Sequence, residues 1–258
     1  LFDLEKAYEN VLHWILAREA KHFSFPLRIL RLALLFYRLP RIIVLKGVAT
    51  PRVATAQTIV AGCSFATTLL KLHLLRTLDA VLTSHPRVRG FVVVDDITLS
   101  TVSQKGQAQH VLHAAVTDLL HRLEHDCKLK VSDTKNATVA TTLALAKKVS
   151  LVHPRLVRTA TTAVRNLGTD FTAGMKAATR VRRRRLKTTA QRAHRVRILR
   201  RAGARTVGLV KTGINPAALY AVSVTGLNDS QLLQLRRQCR SAACRHTAGR
   251  SLFIDLAL

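Results

Sequence analysis

The segment VRGFVVVDDITLS, residues 88–100, constrains the fold of this chain more than any other. Asp95 and Asp96 are adjacent and directly follow the apolar run from Phe91 to Val94. Two apolar, β-branched stretches that meet at a polar pair are typical of a β-hairpin, so we predict a hairpin with both carboxylates at its tip. Adjacent carboxylates repel each other and are costly to desolvate unless a cation lies beside them. The hairpin therefore predicts a cation-binding position, with an ordinary turn as the alternative.

The overall charge makes such an acidic pair unusual. The 258 residues include 42 Lys and Arg but only 14 Asp and Glu, a formal charge of +28 at pH 7. This excess indicates a polyanionic partner, most simply a nucleic acid. Four cysteines without a CxxC pair indicate reduced thiols. With no signal peptide at Leu1, we expect an intracellular, nuclear protein.

A membrane-surface protein is the competing interpretation of a basic chain. The longest apolar stretch, residues 27–48, contains four arginines and a proline, so it cannot cross a bilayer without burying charge. We therefore expect no membrane partner. With 48% apolar residues, the chain is long enough to bury a core as one larger domain or two small ones.

The pattern of apolar residues predicts an α+β domain followed by a helical, basic one. Helical spacing predicts helices near residues 5–21, 26–38, 65–83, 107–127 and 143–150. Short β-branched runs between them predict strands. From about Lys176 the chain changes to helices dense in Arg. We therefore predict an α+β domain over residues 1–174 and a basic helical domain over residues 175–258.

Three carboxylates stand out by their positions. Asp3 ends a short apolar run, and we expect it to lie beside Asp95 and Asp96. Gathered carboxylate oxygens suit Mg²⁺, and two such ions are the device by which polymerases and nucleases clamp a phosphate during transfer. An acidic cluster in a basic chain therefore favours phosphoryl transfer on a nucleic acid. The alternative role for Asp3 is the N-cap of the helix that follows it.

Three segments resemble motifs A, B and C of reverse transcriptases. "FDLEKAYENV" is similar to motif A, in which a strand ends on a metal-binding Asp and a bulky aromatic follows, here Asp3 and Tyr8. "AGCSFATTLLKL" is similar to motif B, a glycine-containing turn and helix, with Gly62 at the turn. "FVVVDDITL" resembles motif C, whose Asp pair is Asp95 and Asp96.

Two further segments continue the series in the order of the family. "LKVSDTKNATV" resembles motif D, with its lysine at Lys135. "RNLGTDF" resembles motif E, the primer grip, with Leu167 and Gly168. The five segments cover about residues 1–171, and the basic helices after them stand where the family has its thumb. The style is that of non-LTR retrotransposon and group II intron enzymes more than of retroviral ones.

The resemblance implies a fold and an activity. The fold would be a polymerase palm, an antiparallel sheet with helices on one face, followed by a basic helical thumb. The activity would be that of an RNA-directed DNA polymerase, a nucleotidyltransferase that adds dNTPs to the 3′ end of a DNA primer on an RNA template. The fingers region expected before Asp3 is missing from the sequence, so we expect this fragment alone to be inactive.

The resemblance also assigns the catalytic residues. Asp3, Asp95 and Asp96 would hold two Mg²⁺ ions, which Mn²⁺ could replace. Lys135 would donate a proton to the leaving pyrophosphate, and the alternative is a solvated lysine in a turn.

The residues that would contact substrates follow from the same motifs. Tyr8 would exclude a ribonucleotide by meeting its 2′-hydroxyl, and an ordinary core position is the alternative. Gly62 would let the backbone approach the nascent base pair, and Leu167 with Gly168 would hold the primer. The phosphate backbone would be contacted by the cations of one helix, Arg180, Arg182, Arg183, Arg184, Arg185 and Lys187. A nuclear-import patch or a solvated helix face is the alternative for these cations.

The chain departs from the family pattern at two positions. Val93 stands where an aromatic is usual before the Asp pair, and Ala61 stands where a Gln commonly precedes the glycine. One alternative is therefore a truncated or decayed retroelement fragment that only binds nucleic acid. Another is an RNA-dependent RNA polymerase, which shares the acidic palm but usually has an Asp where this chain has Tyr8.

Overall fold

The computed structural model describes residues 1–60, 62–102, 107–151, 153, 159–174 and 177–244, so Ala61 lies outside the described residues. The chain forms two compact units, Leu1–Thr161 and Thr162–Leu258. Helices and small sheets alternate in the first unit, and helices predominate in the second. This mixture confirms the predicted α+β class.

A three-stranded antiparallel sheet organises the first unit. Its strands are β1 (Phe2–Asp3), β4 (Arg89–Val93) and β5 (Asp96–Ser100), and β5 lies in the centre. Two smaller pairs complete the strands of this unit: β2 (Val44–Leu45) with β3 (Val48–Ala49), and β6 (Thr138–Val139) with β7 (Ala160–Thr161). The predicted hairpin at the Asp pair is therefore confirmed.

In the described part of the first unit, five helices accompany these strands. They are α1 (His13–His22), α2 (Leu27–Arg38), α3 (Ala66–Ser84), α4 (Ala108–His125) and α5 (Leu143–Leu151). Leucines of α3 and α4, such as Leu69 and Leu119, are fully buried together with Ile97 of β5. The apolar stripes of α3 and α4 recur at helical spacing, which is why these two helices were predicted close to their observed bounds.

The helix predicted over residues 5–21 begins only at His13, so its first half is wrong. Residues 5–10 form turns, and Lys6 has φ +47°. An L-residue in that left-handed conformation interrupts a right-handed helix. No side-chain N-cap precedes α1, whose cap position is Leu12, so the alternative that Asp3 caps this helix is also wrong.

A largely exposed arm extends from the first unit between α2 and α3. The β2–β3 hairpin turns at Lys46 and Gly47, both with positive φ, and the bridge between Arg41 and Val53 extends it. Residues 38–54 of this arm are exposed, and many of them are apolar. The core of the unit therefore forms without this hairpin.

The second unit combines one hairpin with a helical core. The strands β8 (Ala163–Asn166) and β9 (Thr169–Thr172) precede the long helix α6 (Arg180–Arg201). The short helices α7 (Val207–Leu209), α8 (Asn215–Leu219) and α9 (Val222–Thr225) follow, with a π-helical turn at Val210–Ile214, and then α10 (Asp229–Ala243). Ala193, Val210, Ile214, Leu235 and Cys239 form its small core.

The division between units falls at 161/162, whereas the sequence suggested 174/175. The β8–β9 hairpin groups with the second unit because Asp170 of β9 accepts hydrogen bonds from the backbone N–H groups of Val181 and Arg182 at the start of α6. Such a cap satisfies two of the free donors at a helix N-terminus. A cap supplied by a neighbouring strand carries no signal in the local sequence.

One stretch within the described residues, Val207–Thr225, is long and apolar enough to cross a membrane by length and composition. It is not a continuous α-helix, because it contains the π-helical turn and a break at Tyr220 and Ala221. Val210, Ile214 and Ala218 within it are buried in the core of the second unit.

Candidate active site and nucleic-acid interface

The strand register brings two of the predicted metal ligands together. Asp3 of β1 lies directly opposite Asp96 of β5, and Phe2 lies opposite Ile97. The backbone N–H of Leu4 also reaches the carbonyl of Asp95, at 3.4 Å. Directly opposed residues of antiparallel strands project to the same face of the sheet. The expectation that Asp3 lies beside the Asp pair is therefore confirmed.

A strained two-residue turn presents Asp95. Val93 and Asp96 are paired, so Val94 and Asp95 form the whole turn between β4 and β5. Val94 has φ +61°, a left-handed conformation that is a genuine outlier for a β-branched residue. Strain of this kind persists where the surrounding structure determines it, and it occurs frequently at functional sites.

A second segment fixes the backbone of Asp3 from the other side of β1. The carbonyl of Asp3 accepts from the Ser132 N–H at 2.8 Å, and its N–H donates to Asn136 Oδ1 at 3.3 Å. An isolated bridge pairs Leu4 with Val131. Ser132 and Asn136 are buried, and sequence reasoning did not identify either of them. Asp3 is thus held between β5 and the segment that carries Lys135.

Lys135 lies at the carboxylate cluster. Its Nζ donates to Asp3 Oδ2 at 3.0 Å, across 132 positions of sequence. Its backbone N–H donates to Ser132 Oγ, which stabilises the turn that carries it. The hydrogen bond that Lys135 donates to Asp3, and the negative charge of that carboxylate, raise the pKa of Lys135. The Lys135 ammonium therefore forms a direct ion pair with Asp3 instead of standing alone in solvent.

The cluster perturbs its own carboxylates. Partial burial raises the pKa of Asp96, and the negative charges of Asp95 and Asp3 raise it further, while Lys135 opposes them. A raised pKa caused by neighbouring carboxylates is the expected sign of a site that lacks enough positive charge. Such perturbation is common at functional sites.

Tyr8 and Gly62 belong to adjoining backbone segments. The carbonyl of Tyr8 accepts from the Ile59 N–H at 2.7 Å, which connects the motif A segment to the chain before Gly62. Tyr8 is half-buried against the core. Burial raises the pKa of its hydroxyl, and the negative charge of Asp95 raises it further. Gly62 is exposed with φ +87°, and a Cβ built there meets no atom within 4 Å. The positive φ therefore explains why a glycine stands at this position, because a side chain there would not meet any atom of the protein.

The donor set suits a hard divalent ion in its chemistry. Opposed carboxylates on neighbouring strands supply the oxygen ligands that Mg²⁺ prefers. One of them, Asp3, already binds a cation, the Lys135 ammonium. In the part of the chain that the structure describes, however, no three Asp, Glu, His or Cys side chains are arranged to hold one ion. Side-chain rotation of Asp3, Asp95 or Asp96 would have to accompany metal binding.

Leu167 and Gly168 form the turn of the β8–β9 hairpin, and both have positive φ. Type I′ hairpin turns require this geometry at both positions. The carbonyl of Leu167 accepts from the Tyr220 hydroxyl at 2.9 Å, and the carbonyl of Gly168 accepts from Arg185. A Cβ at Gly168 would lie 3.3 Å from the Tyr220 ring, so a glycine is required for conformation and for space.

Arg185 and Tyr220 form a clasp on this turn. The guanidinium of Arg185 lies 4.8 Å from the centroid of the Tyr220 ring and also donates to the Tyr220 carbonyl. Two turn carbonyls are thus bound by one stacked pair of side chains. Sequence reasoning did not identify Tyr220, because its partners are distant in sequence.

The predicted nucleic-acid-binding cations of α6 therefore differ in their surroundings. Arg185 is engaged by the clasp, and Arg182 donates to the carbonyls of Thr225 and Gly226 at 2.8 and 3.0 Å. The remaining cations of the predicted set are exposed to solvent: Arg180, Arg183, Arg184 and Lys187. Hydrogen bonds to protein carbonyls engage part of the guanidinium donors of Arg182 and Arg185, whereas those of the exposed cations are open to a phosphate.

A basic cleft of about 730 Å³ lies within the second unit, between the hairpin turn, α6 and α8. Arg165 of β8 and Arg184, Thr188 and Arg192 of α6 contribute its polar lining. Guanidinium and hydroxyl groups are suitable donors to phosphate oxygens. Arg165, Thr188 and Arg192 were missed from the sequence, although Arg184, Thr188 and Arg192 follow one another at four-residue helical spacing.

Two comparisons with known proteins find no relative of this chain. No protein-family model matches the chain. No curated protein matches it either. The inferences about function therefore depend on the motifs, the strand register and the side-chain contacts described above.

Proposed function

We propose that the chain carries the palm and thumb of a reverse transcriptase from a retrotransposon-like element. It would add dNTPs to the 3′ end of a DNA primer on an RNA template, inside the cell and in the nucleus. Residues 1–161 would supply the palm, with motifs A to D. The second unit would supply the primer-grip hairpin and the thumb.

One observation carries this proposal. The Asp3 residue of motif A, the Asp96 residue of motif C and the Lys135 residue of motif D lie together at one end of a three-stranded sheet. These residues come from three distant parts of the sequence, and each of them matches the residue that its motif assigns to the active site. A chance turn at Asp95 and Asp96 gives no reason for this convergence.

The residues of the chain would act in the following way. Two Mg²⁺ ions would supply the stabilisation of charge on the attacking and leaving oxygens. Asp3, Asp95 and Asp96 hold the negative charge that attracts these ions, and the fixed backbone of Asp3 sets where its carboxylate lies. Lys135 holds a proton near the leaving phosphate. The ring of Tyr8 excludes the 2′-hydroxyl of a ribonucleotide.

The exposed arginines of α6 would contact the phosphate backbone of the primer and template. Ten arginines and one lysine stand in this 22-residue helix without a single carboxylate. Such contacts fix position along the duplex and carry little sequence information. A polymerase that copies any template needs this kind of contact.

A second candidate function is a binding module without turnover. It is favoured by the exposed cations of α6, which can contact phosphates without any metal ion. In that case the basic surface binds nucleic acid and the carboxylate cluster is a remnant.

Incorporation of dTTP on poly(rA)/oligo(dT) separates the two functions. The chain extended by the fingers region that the resemblance implies should incorporate dTTP in the presence of Mg²⁺. Asp96→Asn should abolish incorporation and leave hybrid binding intact. The matched control is Asp133→Asn, an aspartate of the motif D segment that the proposal does not place among the ligands. Incorporation that survives Asp96→Asn would refute the assignment, and binding without any incorporation would favour the binding module.

A further inference from the structure

Lys135 occupies one carboxylate oxygen of Asp3, Oδ2. Its Nζ lies 3.0 Å from Asp3 Oδ2, which is the distance of a direct ion pair. A carboxylate oxygen that accepts from an ammonium at this distance has that lone pair engaged. An ammonium and a divalent cation on one carboxylate would also repel each other strongly at such a separation.

The backbone around Lys135 is fixed, whereas its side chain is free to move. Ser132 Oγ accepts from the N–H groups of Thr134 and Lys135, and the buried Asn136 side chain accepts from the Asp3 N–H. The Lys135 side chain itself is 69% exposed. A change at Asp3 can therefore move the ammonium without moving the turn that carries it.

We propose that Lys135 is the resident counter-cation of the carboxylate cluster, and that a divalent ion bound at Asp3 displaces its ammonium from Asp3 Oδ2. This inference rests on the proposed polymerase function, because it requires a metal ion at these carboxylates. It adds that metal occupancy and lysine position are coupled. The lysine neutralises the metal-free cluster, and once released it is free to contact a phosphate oxygen.

The chain contains a matched control for this proposal. Lys130 belongs to the same segment, forms an ion pair with Glu5 at 3.3 Å, and is similarly exposed. Glu5 is not among the proposed ligands, so removing the Lys130 charge changes the local charge without vacating Asp3. Lys135→Gln and Lys130→Gln therefore differ only in which carboxylate loses its partner.

The test is Mn²⁺ binding to the 258-residue chain without nucleotide, measured from the electron paramagnetic resonance signal of free Mn²⁺. Lys135→Gln should bind Mn²⁺ roughly 3- to 10-fold more tightly than wild type, because a competing cation and its repulsion are removed. Lys130→Gln should bind as wild type does. Asp3→Asn should weaken binding in both backgrounds.

A thermal readout tests the same displacement independently of affinity fitting. Without metal, Lys135→Gln should unfold at a lower temperature than wild type, because Asp3, Asp95 and Asp96 lose their nearest positive charge. Mn²⁺ should raise the unfolding midpoint of Lys135→Gln more than that of wild type. Trp14, the single tryptophan, lies in the same unit and reports the transition by fluorescence.

The outcomes separate this inference from the proposed function. If wild type binds Mn²⁺ through Asp3 and Lys135→Gln binds it equally or more weakly, displacement is refuted while the metal site stands. If Lys130→Gln tightens binding as much as Lys135→Gln, the effect is one of general charge and displacement is again refuted. If no protein binds Mn²⁺ in an Asp3-dependent way, the metal site and the displacement are both refuted.

Discussion

Val94 holds a conformation that its own side chain disfavours. A β-branched residue at φ +61° costs of order 1–3 kcal/mol, and a glycine there would avoid that penalty. The Val94 side chain lines an apolar cavity of about 380 Å³ between β4 and α3, together with Val92 and Leu78. The pairing of Val93 with Asp96 closes the turn around Val94, which is itself 36% exposed, and the turn places Asp95 next to the strand that carries Asp96.

Relief of this strain should be measurable. Val94→Gly should raise the free energy of unfolding by up to about 1 kcal/mol, after the entropic cost of a glycine is subtracted. Val93→Gly, one residue earlier in regular strand geometry, should lower it by about 0.5–1 kcal/mol. Denaturant unfolding monitored by Trp14 fluorescence measures both. Equal losses in the two variants would mean that the turn is not strained.

At the scale of single elements, α1 is anchored by a buried histidine. His13 Nε2 lies 2.8 Å from the Thr58 carbonyl, and Nδ1 accepts from Arg38 Nε at 3.3 Å. Burial lowers the pKa of His13 below its usual 6.5, and the positive charge of Arg38 lowers it further. The hydrogen bond to Thr58 acts in the opposite direction and raises it. Burial likewise lowers the pKa of His73 in α3. Both helices therefore require neutral imidazoles.

This requirement predicts acid sensitivity. Because the folded pKa of each histidine lies below 6.5, the unfolded chain binds more protons below that pH, and stability falls as pH falls. The loss approaches about 1.4 kcal/mol per pH unit for each histidine that must become charged. His13→Gln can keep both hydrogen bonds and should flatten the slope between pH 6.5 and 5, measured by Trp14 fluorescence. An unchanged slope in His13→Gln would contradict the assignment.

The arginines of α6 should separate into two groups by experiment. Arg184→Gln with Arg192→Gln removes two charges from the basic cleft, so the log–log salt slope of binding to an RNA–DNA hybrid should become shallower by roughly one to two units. Arg185→Gln should leave that slope nearly unchanged but lower the free energy of unfolding by about 1–3 kcal/mol, since charged hydrogen bonds to turn carbonyls are lost. Fluorescence anisotropy and thermal unfolding measure the two quantities. A slope that changes equally in both variants would mean that the clasp arginine also binds phosphate.

Elements with strong local signals were predictable from the sequence, and long-range pairings were not. The hairpin at Asp95 and helices such as α3 follow from turn residues and apolar periodicity, which act over a few positions. The two residues of β1 and the isolated bridge at Val131 are too short to give a pattern of their own. Asp3 was therefore expected beside Asp96 from its carboxylate and from the resemblance, and not from local periodicity. The Arg185–Tyr220 clasp and the Asp170 cap depend on tertiary contacts that no local pattern encodes.

At the scale of the whole molecule, the charge of +28 is shared by two units that could bind nucleic acid separately or on one duplex. A polymerase requires both units to bind the same primer and template, because the primer end must reach the carboxylates while the basic helix holds the duplex. A binding module requires only the basic unit. The two functions therefore differ in which unit a bound duplex stabilises.

Ligand-linked stability distinguishes these cases in one experiment. A ligand that binds only the folded state at 100 times its dissociation constant stabilises it by about 2.7 kcal/mol, which raises the unfolding midpoint of a unit of this size by roughly 5–10 °C. If both units bind, an RNA–DNA hybrid at low salt should raise the Trp14 transition of the first unit as well as the loss of helical circular dichroism. Arg184→Gln with Arg192→Gln should reduce both shifts, and high salt should remove them because counterion release no longer favours binding. If the helical signal shifts while the Trp14 transition stays at its duplex-free temperature, only the second unit binds. That result would favour the binding module over the polymerase.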